Sequence, residues 1–184
     1  MKKKLLIIGI TGMLGHTLFR EAREQEKLDV YGAQQKESEN DNIFFVDLKQ
    51  FESVVDLVTR VKPNVVINCA AILKIVDKEE ALIVNSLAPQ ILASACDTIG
   101  AKLIQISTDN VFSGDLGDYR ETNIPNPQDF YSLSKLLGEV TYAPHLTIRT
   151  SIIGKEIGTN NGLLAWFLSQ KGEVKGYDQA YFSG

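Results

Sequence analysis

Apolar residues enter this chain in short runs separated by stretches with helical spacing. Lys4-Leu-Leu-Ile-Ile-Gly9-Ile is a continuous apolar run, the pattern of a parallel strand buried on both faces. Met13–Glu24 then reads as a helix with Leu14, Leu18 and Ala22 along one side. Leu28–Ala33 is a second strand, Gln34 to Asn42 a polar turn, and Ile43–Val46 a third strand ending at Asp47. Phe51–Val61 has helical spacing, and Pro63 introduces a fourth strand, Val65–Asn68. Glu79–Ile99 reads as a helix that Pro89 should end or kink. Lys102–Ile106 is a fifth strand, Phe130–Val140 a helix and Leu146–Arg149 a sixth strand. Between them, Asp109–Asp129 is polar and rich in Asp, Gly, Asn and Pro, the profile of a functional lid. The alternation predicts an α/β fold: a doubly wound parallel sheet with helices on both faces.

In such sheets ligands bind where the strands end, and Gly9, Asp47, Ala70 and Thr108 all fall there. The first strand runs straight into Gly9-Ile-Thr-Gly12-Met-Leu-Gly15. A strand, a glycine turn and a helix N-terminus offer backbone N–H groups and a positive dipole end to a pyrophosphate. Gly9, Thr11, Gly12, Met13, Leu14 and Gly15 are therefore candidate cofactor-binding residues; the plainer reading is a turn without a ligand. Tyr131 and Lys135 would lie one helical turn apart on one face. An ammonium beside a phenol pulls its pKa down from about 10, which would make Tyr131 a general acid or base. The plainer reading there is a solvated helix face.

The 184 residues, 44% of them hydrophobic, suffice for one well-buried domain. A net charge of −4 and no basic stripe argue against a nucleic-acid surface. The apolar start stops at Gly9-Ile10-Thr11 without a small-residue cleavage site, and no stretch reads as long enough to span a membrane. Cytoplasm is the expected compartment. Cys69 and Cys96 stand in apolar contexts, as buried thiols do, and His16 and His145 have no ligand-spaced partners, so no metal site is expected.

Gly9–Gly15, Asn68-Cys-Ala-Ala71, Ser107-Thr-Asp109 and Tyr131–Lys135 together resemble the extended short-chain dehydrogenase/reductases that act on sugar nucleotides. Ser107–Gly114, Tyr119-Arg-Glu-Thr122, Val76–Glu80, Leu133–Glu139 and Asp178-Gln179 resemble the dTDP-4-dehydrorhamnose reductase branch. Asn110 stands where that branch often has tyrosine, and Ser132 where it often has glycine. The resemblance implies a Rossmann-type sheet over residues 1–150, with 151–184 beginning a substrate lobe. It implies NADP(H) or NAD(H) as cofactor, a nucleotide-sugar substrate, and reduction of a keto group on that sugar, as in the synthesis of cell-surface polysaccharide precursors. Tyr131 would protonate the carbonyl oxygen, Lys135 would hold the nicotinamide ribose, and Thr108, with Ser107 as understudy, would polarise the carbonyl. Asp47 and Leu48 match a pair that contacts adenine, Asp47 being equally readable as a helix cap. Ala70 and Ala71 would let the chain pass close to the cofactor, and Asn85 is a weaker candidate that also reads as a buried polar residue.

The second strand ends in Gly32-Ala-Gln-Gln-Lys36 with no acid to bind a ribose 2′-hydroxyl. Lys36 either neutralises a 2′-phosphate, favouring NADPH, or is a surface lysine. A sugar-nucleotide epimerase or dehydratase stays open, as does a non-catalytic dinucleotide-binding regulatory subunit; Asn110, in place of an acid, argues against the dehydratase. Tyr181-Phe-Ser-Gly184 does not read as a natural end, and family members continue beyond this point into the lobe that holds the sugar nucleotide. Apolar surface around Leu163, Leu164, Trp166 and Phe167 is expected where that lobe would dock, with homo-oligomer formation as its consequence.

Overall fold

Six parallel strands form one sheet in the order β3-β2-β1-β4-β5-β6 in the computed structural model, which describes residues 2–154, 157 and 162–176. The strands are β1 Lys3–Ile8, β2 Leu28–Gln34, β3 Ile43–Phe45, β4 Val65–Asn68, β5 Lys102–Ser107 and β6 Leu146–Arg149. Asp178-Gln179 and Tyr181–Gly184 lie outside the described residues.

Alternate residues of β1 serve two cores, as a strand covered on both faces requires. Leu6 and Ile8 join Val66 and Leu103 against α2 (Phe51–Val61) and α4 (Ala88–Ile99), through Val54, Val58, Leu92 and Cys96. Leu5 and Ile7 face the other way, with Val30 and Ile67, onto Phe19, Leu18 and Ala22 of α1 (Met13–Arg23). Helices thus cover both faces. Ile104 and Ile106 of β5 pair with Leu146 and Ile148 of β6, and these last two remain exposed. In α6 (Leu163–Ser169) no residue is buried; Leu163, Trp166 and Phe167 are exposed as expected, whereas Leu164 is half-buried.

The proline interruption takes a specific form. A short α3 (Lys78–Leu82), capped by Asp77, passes into a π-turn over Ile83–Leu87 and then into α4, with Pro89 in its first turn. Pro89 has no N–H to give the Asn85 carbonyl, and the wider turn absorbs the missing bond. The composite helix Lys78–Ile99 is, at 22 residues, long and apolar enough to cross a membrane, contrary to expectation. Half of its most apolar window is buried inside the domain, and Ala88, Leu92, Ala93 and Cys96 belong to the core.

The Tyr–Lys helix, α5 (Phe130–Leu137), is capped by Asp129, whose carboxylate accepts from Ser132 N, and stops three residues short of Val140. Val140 is claimed instead by Thr147, which bonds both its N–H and its carbonyl at 2.9 Å. Gly138 closes the helix against the π-turn; a Cβ there would lie 1.9 Å from the Asn85 carbonyl oxygen. Gly138→Ala is therefore expected to cost about 1–3 kcal/mol in urea unfolding. Gly176→Ala, which meets nothing within 4 Å, should change stability by less than about 0.5 kcal/mol.

Candidate functional site

The carboxyl ends of β1, β2, β4 and β5 open onto one cavity of about 900 Å³, within the range of small-molecule and cofactor sites. The glycine turn forms one wall. Gly9 sits at φ +83° with Ala70 N 2.8 Å from where a Cβ would be, and Gly15 is pressed against the Gly9 carbonyl, 2.2 Å from its own absent Cβ. Only glycine fits at both positions. Gly12, which meets only the Gly9 oxygen at 3.4 Å, caps α1 without a side-chain bond. The first turn of α1 therefore keeps its unsatisfied N–H groups and carries no acidic residue, an arrangement that attracts anions.

Of the expected residues, Gly9, Thr11, Gly12, Met13, Leu14, Asp47, Leu48, Ala70, Ala71, Thr108, Tyr131 and Lys135 all line this cavity. Two do not. Gly15 acts from behind, through the close packing just described. Lys36 is exposed and lies off the lining, where Gln34 and Gln35 stand instead. The turn after β2 carries Lys36 outward, and Gln34 donates to its carbonyl at 3.0 Å.

Each wall is fixed by bonds that cross the fold. Asn68 and Gln105, neighbours in the β4–β5 register, bond side chain to side chain at 2.9 Å, and Asn68 Oδ1 accepts from Ala70 N at 3.1 Å. Asn85 holds the next stretch: its amide bonds both Ile72 N and Ile72 O, then donates to Ser134 Oγ at 3.0 Å. Asp47 accepts from Lys49 N at 3.0 Å in an Asx turn, and the N-cap of α2 is Gln50 rather than Asp47. Thr108 accepts from Asn110 N at 3.2 Å and faces Asp109 Oδ1 at 3.4 Å. Ser107 is committed elsewhere, donating to Glu139 Oε1 at 2.8 Å. From the lid segment only Asp109 and Asn110 reach the cavity; Phe112 and Tyr119 stack on each other.

Lys135 is 3% exposed, and its Nζ donates to the Ile106 carbonyl at 2.7 Å. Burial lowers its pKa from 10.5 to about 8, while Cys69 and Glu139 oppose the fall. Tyr131 overturns an expectation. Its pKa is raised above 10, by burial first and then by the Asp129 and Asp109 carboxylates. Spacing along a helix does not fix where an ammonium points, and this one is held on a backbone carbonyl. Burial likewise pushes the Cys69 thiol in the cavity wall up to about 12, against the pull of Lys135.

Gln34, Gln35, Cys69, Glu80, Asp109 and Ser151 also line the cavity without having been named as site residues from the sequence. Position at or just beyond a strand end was the available signal for most of them; Glu80, on α3, stood only in the Val76–Glu80 motif of the resemblance. Among the described residues no group of His, Cys, Asp and Glu forms a metal site.

Comparison with known proteins agrees with this geometry. The RmlD substrate binding domain family matches residues 2–175. The beta subunit of methionine adenosyltransferase 2 from Xenopus tropicalis is 35% identical over 141 residues, 74% of this chain and 42% of that protein. The structure of dTDP-4-dehydrorhamnose reductase from Yersinia enterocolitica superposes with a TM-score of 0.76 at 30% identity, covering 92% of this chain and 60% of that one. The Bacillus anthracis reductase, solved in complex with NADP, gives 0.67 at 32% identity over 75% of this chain and 48% of that one. The chain spans about half the length of the relatives it matches. With a Rossmann-type sheet, a glycine turn and a Tyr–Lys pair on one cavity, and a family match from residue 2 to 175, the chain belongs to the RmlD substrate binding domain family, in the dTDP-4-dehydrorhamnose reductase branch of the extended short-chain dehydrogenase/reductases.

Proposed function

We propose that the whole protein is a cytoplasmic NAD(P)H-dependent reductase of a keto group on a nucleotide-activated sugar. One observation carries the reading: Tyr131 and Lys135 line the same cavity as the uncapped N-terminus of α1. The residues present suit a dinucleotide. Free N–H groups at the start of α1 would hold the pyrophosphate, Asp47 and Leu48 would flank the adenine end, and Ala70 and Ala71 would let the chain pass close to the cofactor. A bound nicotinamide supplies the hydride.

The protein's own part is proton delivery and orientation. A phenol whose pKa lies above 10 is protonated at neutral pH, so Tyr131 Oη–H is a donor ready for a carbonyl oxygen. Thr108 Oγ, at the end of β5, can turn its hydrogen from Asp109 to the same oxygen. Lys135, whose Nζ spends one donor on the Ile106 carbonyl, would hold the nicotinamide ribose hydroxyls with its remaining N–H groups. At the end of β2, Gln34 and Gln35 offer amides and no carboxylate, which favours tolerance of a 2′-phosphate and so of NADPH beside NADH. The similarity to an adenosyltransferase beta subunit supports a second reading, a dinucleotide-binding subunit without turnover.

Gly12→Asp puts a carboxylate at the α1 N-terminus while its Cβ meets only the Gly9 oxygen, so the fold should survive. NADPH titration followed by fluorescence should show affinity falling by about 10² or more; unchanged affinity would remove the phosphate assignment. In the whole protein, Tyr131→Phe should keep NADPH binding and slow ketone reduction by about 10² or more. Normal turnover in that variant would exclude Tyr131 as the acid. An unmutated protein that binds NADPH yet turns over no nucleotide sugar would favour the second reading.

A further inference from the structure

Glu139 lies just past Gly138, the residue that closes α5, and its side chain is 4% exposed. Arg149, at the end of β6, holds the carboxylate at both oxygens, Nε to Oε1 at 2.8 Å and Nη2 to Oε2 at 2.7 Å. Ser107, at the end of β5, donates to Oε1 at 2.8 Å. A buried carboxylate persists only when its oxygens are satisfied in this way. The Arg149 guanidinium also lies 5.1 Å from the Phe112 ring centroid, and Phe112 stacks on Tyr119 with centroids 4.5 Å apart. Lys135 bonds the carbonyl of Ile106, the residue just before Ser107.

We propose that Glu139 is a positioning residue of this site: its carboxylate ties the ends of β5 and β6 to the helix bearing Tyr131 and Lys135, sustains the Lys135 ammonium, and through Arg149 links that helix to the aromatic root of the 112–119 loop. The proposal rests on reading Tyr131 and Lys135 as the reacting pair. Two groups bear on the Lys135 charge. Cys69, at the end of β4, is a neutral thiol near pH 8, since burial carries it to about 12. Glu139 is then the anion on the side of the ammonium, its support partly offset by the Arg149 guanidinium paired with both its oxygens. Tyr131, on the same helix, is a neutral phenol at that pH.

The test follows Lys135 directly, by NMR of protein carrying ε-¹³C lysine, with the signal assigned from Lys135→Arg. In Glu139→Gln the Lys135 titration midpoint should fall below its wild-type value by roughly one unit; an unchanged midpoint overturns the proposal. If that variant does not fold because Arg149 is left unpaired, Glu139→Gln/Arg149→Met removes a net-neutral pair, and the tie is read there from the amide signals of Ser107 and Lys135, which should move from their wild-type positions. Unmoved Ser107 and Lys135 amide signals in the folded double variant are equally fatal. The link to the loop is read from Tyr119, whose ring signals should move toward those of free tyrosine in Arg149→Lys; unmoved signals break it. NADPH titration of the unmutated protein separates the two levels. Failure to bind would remove the reductase reading while the Lys135 midpoint still decides the role of Glu139.

Discussion

Because β1, β4 and β5 run parallel and in register, Ile8, Asn68 and Gln105 stand side by side across the sheet. The three segments that leave these residues must emerge at one edge, whatever their side chains. Gly9 emerges beside Ala70 at a distance no Cβ would allow, and the Asn68–Gln105 amide pair sets the exit of the Ala70 turn. Every group of the site is hung from that edge. The glycine turn, the alanine turn and Thr108 follow strands directly, whereas Tyr131 and Lys135 arrive on a helix that must be docked separately. Asn85 and Gly138 do the docking, one by bonding Ser134 and the other by allowing contact with the π-turn.

The docking comes at an energetic cost. Lowering the Lys135 pKa from 10.5 to about 8 corresponds to about 3 kcal/mol against the charged form. Its sign with pH follows from proton counting. Between pH 8 and 10.5 the unfolded chain still holds a proton that the native lysine has released, so this group makes the fold more stable as pH rises through that window. Cys69 and Cys96, both raised to about 12, act oppositely above pH 9, where the unfolded thiols ionise first. A lysine kept at such a cost beside a cavity is the kind of perturbed group that marks a functional site.

Strand-scale information was largely legible in the sequence. Apolar runs, the glycine spacing and the residues placed just beyond strand ends located Gly9, Gly12, Ala70 and Thr108 on the cavity without structural help. Information that depends on docking was not. The Tyr131–Lys135 spacing gave the shared face correctly but the wrong electrostatics, because the Ile106 carbonyl that captures Nζ belongs to another element. Lys36 was the only cation in its turn, yet the path of the chain after β2 turns it outward and leaves Gln34 and Gln35 on the lining. Pro89 announced an interruption; its form as a π-turn, with Asn85 bonding inward from it, depends on α5 packing alongside.

The central claim is that one strand-end cavity binds a dinucleotide across the glycine turn, the alanine turn and the Tyr–Lys helix. Amide chemical-shift mapping on addition of NADPH tests it most directly. The account predicts that the largest shifts fall together on Thr11 to Leu14, Asp47, Ala70, Ala71, Thr108 and Lys135, with the β6 strand residues Leu146 and Ile148 little changed. Saturable shifts confined to another surface, or none at all, would contradict it.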